Sequence, residues 1–179
     1  VWVDGSKEQL EEIKQEALAT GEMIELNQEK LPGCLYYRTK PKDVARDEKR
    51  TVICTRRKED AGPTNNWVAP DEMYGKLRGL FDGSMKGRTM YAIPFSMGVP
   101  GTEFAKIGIE LTDSIYVVLS MNIMTRVGAE VIEELNKGAD FTKCLHSKAE
   151  IDETKKYIAH FPEDNTIWSI NSAYGGNVL

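Results

Sequence analysis

Two stretches of this 179-residue sequence carry residue types suited to gripping an anion. Arg46 sits in the charged run Lys42-Asp43-Val44-Ala45-Arg46-Asp47-Glu48-Lys49-Arg50, just ahead of an expected strand. A guanidinium held at a strand end grips a carboxylate through its planar fork, whereas a solvated charge run does nothing specific. The run fits both readings. Tyr174-Gly175-Gly176-Asn177 also follows an expected strand. Paired glycines leave backbone N–H groups uncovered for an anion, and the tyrosine ring offers its positive edge to a carboxylate, although a plain turn uses the same residues. His146 and His160 lie fourteen residues apart without a carboxylate pattern that would make a metal site, so they read as surface or satisfied strand histidines with no role. No phosphate loop of the Gly-x-x-x-x-Gly-Lys-Ser/Thr kind occurs, and no Gly-x-Gly-x-x-Gly, His-Glu-x-x-His or Gly-x-Ser-x-Gly.

The elements that must position these groups follow from capping and periodicity. Ser6 and Gln9 form a capping box, Leu10, Ile13 and Ala17 share a helical stripe, and Gly21 supplies a stop, which predicts a helix over Lys7–Thr20. Short apolar segments at Met23–Leu26, Cys34–Tyr37 and Thr51–Thr55 read as strands, and polar Arg56–Asn66 reads as a loop. Pro70-Asp71 opens a second helix with Met73, Leu77 and Leu80, ending near Gly83. Three β-rich runs follow, at Arg88–Phe95, Lys106–Leu111 and Ser114–Met121, with Tyr91, Ile93 and Phe95 expected in the core and Ser96–Gly101 as a tight, wall-forming turn. Ala129–Leu135 reads as a helix. Tyr157–His160 and Thr166–Ile170 read as a hairpin around Pro162-Glu163-Asp164-Asn165.

Composition bounds the function classes. Hydrophobic residues make up 41% of the chain, enough to offset the ordering entropy, and a chain of this length buries roughly two-thirds of its unfolded surface. With 28 acidic against 23 basic residues and a net charge of -5, it lacks the basic footprint of a general nucleic-acid binder. No run approaches 18 apolar residues and the start has no signal-peptide pattern, so no membrane role is expected. Three widely spaced cysteines, Cys34, Cys54 and Cys144, indicate neither a disulfide framework nor a zinc site and suit a reducing cytoplasm. The chain opens without Met and closes on Tyr174–Leu179 without a polar tail, which reads as a segment of a longer protein.

Six ordered blocks resemble the GTP-using family of phosphoenolpyruvate carboxykinase. They are Trp2–Ser6, Asp43–Arg46, Lys86–Gly98, Lys106–Ser114, Met124–Arg126 and Ser172–Asn177. The resemblance covers essentially the whole chain. It implies a carboxy-lyase of gluconeogenesis that converts oxaloacetate and GTP to phosphoenolpyruvate, GDP and carbon dioxide with Mn2+ or Mg2+. By the same resemblance Arg46 holds the substrate carboxylate, the Tyr174 ring edge contacts it, Gly175 and Gly176 stand beside it, and Glu48 helps to hold a closed lid. The family's Gly-Lys-Lys segment, metal ligands, phosphate loop and guanine pocket lie beyond its Tyr-Gly-Gly-Asn block, so no metal ligand is assigned here. Val99-Pro100, Asn122 and Ile115 depart from common family residues.

The resulting expectation is a single domain over 1–179, an α/β fold with a mixed sheet and flanking helices. It is the N-terminal, substrate-side domain, truncated before the nucleotide- and metal-binding domain and inactive alone. A stand-alone, non-catalytic module that binds a dicarboxylate or a protein, and a purely structural fragment, are the alternatives. Ile167, Trp168, Ile170, Val178 and Leu179 are expected to form an exposed apolar patch that drives self-association.

Overall fold

The computed structural model describes residues 1–44 and 47–174. In chain order it contains α1 (Lys7–Ala19), β1 (Met23–Glu25), β2 (Leu35–Tyr37), β3 (Thr51–Ile53), β4 (Asn66–Trp67), α2 (Pro70–Phe81), β5 (Tyr91–Met97), β6 (Lys106–Thr112), α3 (Ile115–Met124), β7 (Arg126–Val127), α4 (Ala129–Asn136), β8 (Thr142–Ser147), β9 (Tyr157–Phe161) and β10 (Thr166–Ile170). Half of the capping box at α1 forms: the Gln9 amide N–H donates to Ser6 Oγ, while the Gln9 side chain accepts from the Asp4 N–H at 2.8 Å and the Ser6 N–H donates to Asp4 Oδ1 instead.

Eight strands make one mixed sheet in the order β4-β3-β9-β10-β8-β6-β5-β7, and β1 and β2 form a separate antiparallel pair. The β6, β8 and β10 strands run parallel, while β9–β10 and β5–β6 are antiparallel hairpins. The β9–β10 turn uses Pro162 to open a one-turn 3-10 helix and Asn165 in the left-handed conformation to close it. This is the hairpin expected from Pro162–Asn165.

Helices cover both faces. On one, Ile13 and Ala17 of α1 and Val117, Val118 and Met121 of α3 pack on Tyr91, Ile93 and Phe95 of β5, with Cys144 and Ile167. Gly108 lies under Phe95, where a Cβ would stand 2.4 Å from the ring, so only glycine permits this approach. On the opposite face Met73 and Leu77 of α2 pack on Val52, Ala159, Phe161 and Ile170, and Tyr74 stacks on Phe161 at 3.8 Å between ring centroids. No helix among the described residues is long and apolar enough to cross a membrane.

Several expectations need correction. Ser114–Met121 is not a strand: Ser114 Oγ caps α3 by accepting from the Val117 N–H. Its β-branched residues fit a helix because Ile115, Val117, Val118 and Met121 form one side that is buried in the core with α1 and β5, while Ile123 and Met124 stay exposed. β8, interleaved with Lys143 and His146, had no recognisable strand pattern, yet it sits between β6 and β10. Arg56–Asn66 holds a one-turn 3-10 helix at Lys58–Ala61 and the start of β4. The expected apolar patch is not exposed: Ile167 and Ile170 are buried, and Trp168 packs partly buried beside Tyr74 and Phe81. β10 is an interior strand covered on both faces. Val178 and Leu179 lie outside the described residues.

Candidate functional site

The segment after β10 turns through Asn171, whose φ of 63° is left-handed, and its side chain secures that turn by donating to the Lys155 carbonyl and accepting from the Asp152 N–H. Ser172 and Ala173 then enter the interior and lead to half-buried Tyr174.

One carboxylate organises this segment. Asp43, on the loop after β2, accepts from Ser172 Oγ at 2.7 Å, from the Ala173 N–H at 2.8 Å and from Thr39 Oγ1 at 2.8 Å. The ammonium of Lys156, as deeply buried as the carboxylate, lies 3.5 Å from it and donates to the Val44 carbonyl. A buried charge is tolerated only when paired and hydrogen-bonded, and this arrangement supplies both.

His146, fully buried at the end of β8, supports the same segment. Its Nε2 lies 2.9 Å from the Ser172 carbonyl, which can only accept, so Nε2 carries the proton. Its Nδ1 then accepts from Thr112 Oγ1 at 2.7 Å, and that oxygen accepts from the Ser114 N–H. Burial holds the imidazole below its ordinary titration range, so it sits here as the neutral tautomer these bonds require. Alongside it, Asp113 accepts from Arg88, Ser147 Oγ and the Lys148 N–H.

Tyr174 completes an aromatic trio. Its ring meets Tyr116 edge-on at 5.3 Å and Tyr37 at 6.4 Å, and the latter two stack at 4.4 Å. Such pairs contribute roughly 0.5–1.5 kcal/mol beyond their buried area. Burial raises the Tyr174 phenol above its ordinary range, so it remains protonated at neutral pH.

Of the expected site residues, Tyr174 is thus held by buried polar and aromatic neighbours. Glu48 stands apart from that cluster, exposed on a one-turn 3-10 helix ahead of β3, where it lines a cavity of about 570 Å³ with Thr51, Ile53 and Asn66. Arg46, Gly175 and Gly176 lie outside the described residues. Sequence reasoning missed Asp43, Lys156, Tyr37 and Tyr116; His146 is a satisfied strand histidine, one of the two readings expected for it, with a supporting role that the sequence did not assign. Asp43 looked like one more charge in a polar run, and only its place in Asp43-Val44-Ala45-Arg46 hinted otherwise. Among the described residues no group of three His, Cys, Asp or Glu could hold a metal ion, so these residues do not fit the divalent cation that the resemblance implies.

The family model described as phosphoenolpyruvate carboxykinase N-terminal domain matches residues 1–179. The chain belongs to that family. Curated relatives agree. The chain is 51% identical over 178 residues to phosphoenolpyruvate carboxykinase [GTP] of Anaeromyxobacter dehalogenans strain 2CP-C, an alignment covering 99% of this chain and 30% of that protein. It is 46% identical over 190 residues to the protein of the same name from Corynebacterium jeikeium, covering 100% and 31%, and 46% identical to that of Treponema pallidum strain Nichols, covering 98% and 30%. The chain therefore spans less than a third of the length of these relatives. The α/β fold with its mixed eight-stranded sheet is the architecture expected for this family.

Proposed function

We propose that this chain is the substrate-carboxylate half of a GTP-dependent phosphoenolpyruvate carboxykinase, a cytoplasmic carboxy-lyase of gluconeogenesis. The reaction converts oxaloacetate and GTP to phosphoenolpyruvate, GDP and carbon dioxide. Breaking the bond to the departing carboxylate releases carbon dioxide and leaves an enolate, whose oxygen takes the γ-phosphoryl group from GTP. A divalent cation such as Mn2+ or Mg2+ would supply charge neutralisation for this chemistry, held by residues other than the described ones. In this reading Arg46 grips the retained carboxylate, Tyr174 lays its ring edge against it, Gly175 and Gly176 line the same corner with backbone, and Glu48 steadies a closing lid. A further domain of the same chain supplies metal, nucleotide and lid.

The observation that carries the reading is the match over the whole chain to relatives that bear one enzymatic name, at 46–51% identity. The rigid mounting of Tyr174 supports it, because a ring held on a buried network is pre-organised for a ligand.

The test is a titration of oxalate, a stable dicarboxylate, into the 1–179 chain while following backbone amide shifts. Shifts clustered at Tyr174–Gly176 and around Arg46, lost in Arg46→Ala, are expected at millimolar ligand. Absence of shifts in the parent chain would overturn a preformed half-site. With oxaloacetate, GTP and Mn2+ the same chain is expected to release no phosphoenolpyruvate.

A further inference from the structure

Tyr174 follows the last strand, and its ring is pre-organised for a ligand only if the segment that carries it is fixed from elsewhere in the chain. We infer that Asp43 fixes it, as a positioning residue that clasps the 39–44 loop onto the segment ending in Tyr174.

The geometry of its two oxygens carries the argument. Oδ1 accepts from Ser172 Oγ and faces Lys156, while Oδ2 accepts both from Thr39 Oγ1, on its own loop, and from the backbone N–H of Ala173. The carboxylate therefore holds the two residues immediately before Tyr174. Ser172 Oγ passes the constraint on, because it also accepts the Tyr174 N–H at 3.2 Å. On the other side the loop is pinned around the same residue. The Asp43 N–H donates to the Lys40 carbonyl, Lys40 Nζ donates to the carbonyls of Glu150 and Ile151, and Lys156 donates to the Val44 carbonyl. A movement of the 39–44 loop thus pulls directly on the backbone that carries the Tyr174 ring. The side chain spans 129 and 130 residues of sequence to reach these donors, a separation at which nothing local enforces the contact.

Both Asp43 oxygens are taken up by Ser172, Ala173, Thr39 and Lys156, so it acts through the placement of others. The inference rests on the proposed reading only for the identity of the ligand; the mechanical link between loop and ring stands without it.

The experiment uses Asp43→Asn and Ser172→Ala in the 1–179 chain, with Lys42→Ala, which removes an exposed ion pair to Glu153, as control. Asparagine keeps the shape but turns one acceptor into a donor that opposes the donors already there. Three quantities are measured: the thermal midpoint, the ring proton shifts of Tyr174, and oxalate affinity. The Tyr174 ring signals, displaced by the Tyr116 and Tyr37 ring currents in the parent, are expected to move toward those of free tyrosine in both variants. Oxalate affinity is expected to fall roughly tenfold or more, the scale of cost for a site misplaced by a fraction of an ångström. Core signals from Ile93 and Ala159 stay in place. Tyr174 ring shifts and oxalate affinity that both match the parent, in a folded variant of lowered midpoint, would overturn the inference and leave Asp43 as scaffold. If Asp43→Asn does not fold, Ser172→Ala decides on the same readouts. If the parent chain binds no oxalate while the ring signals of the variants still move, the clasp stands and the dicarboxylate reading fails.

Discussion

The polar cluster beneath Tyr174 and the middle of β6 both bury carboxyl groups, and their surroundings differ completely. Asp43 meets two hydroxyls, a backbone N–H and an ammonium. Glu110, 3% exposed, points from β6 toward the face where its register neighbours are Ile93 and Cys144, and burial alone raises its pKa to about 8. The first carboxyl is fixed by donors drawn from three separate parts of the chain. The second is kept in the interior by giving up its charge. A carboxylate that organises two chain segments needs convergent donors, whereas a protonated acid avoids only the cost of burying a charge.

The largest expected effect comes from emptying the first site. Asp43→Ala leaves the Lys156 ammonium buried without its counter-charge, which costs roughly 3–5 kcal/mol. The thermal midpoint should fall by roughly 10 °C or more. A fall of only a degree or two would mean that Lys156 finds water and that the two regions are less different than their geometry implies.

Glu110→Gln is expected to act in the opposite direction, and only at higher pH. Below its ordinary value of 4.5 both folded and unfolded chains hold the proton. From there up to about 8 only the folded chain does, so stability falls as pH rises and levels off above about 8. Glutamine removes that slope. The variant should match the parent near pH 4.5 and exceed it by roughly 2–4 kcal/mol at pH 8 in urea unfolding. A difference that does not change with pH would show that Glu110 ionises freely.

His146 gives the smallest effect and the opposite slope. Its folded titration lies below the ordinary 6.5 because burial opposes the charge. As pH falls through 6.5 the unfolded chain takes the proton and the folded chain does not, so stability is lost on the acid side and fully present above it. His146→Gln should cost about 1–2 kcal/mol at pH 7, for two rearranged hydrogen bonds, and should remove the parent's extra loss between pH 7 and 5.5. Urea midpoints at those two pH values measure it. An unchanged acid loss in the variant would assign that slope elsewhere, for example to His160, which burial also depresses.

The elements whose determinants are local were readable in advance. The Ser6–Gln9 cap, Pro70 at the head of α2 and the Pro162–Asn165 turn act within a few residues, and each stands where it was expected. α3 and β8 were not readable. The composition of α3 favours a strand, and what makes it helical is its capped start and its burial against α1 and β5. β8 owes its place to the parallel neighbours β6 and β10. The candidate site divides in the same way. Tyr174 stood out through the Tyr-Gly-Gly-Asn block, while Asp43 and His146 matter through partners 26 to 130 residues away.

By itself the sequence determined the family, through ordered blocks spread over the whole chain, and with it the α/β class and the residues to suspect. Tertiary structure decided which of those residues are held and by what. Hydrogen bonds and ion pairs in a low-dielectric interior depend on which groups converge from distant parts of the chain, and no spacing rule encodes that convergence. Asp43 and Asp47 are neighbouring acids in one charged run, yet only Asp43 lies where Ser172, Ala173, Thr39 and Lys156 meet.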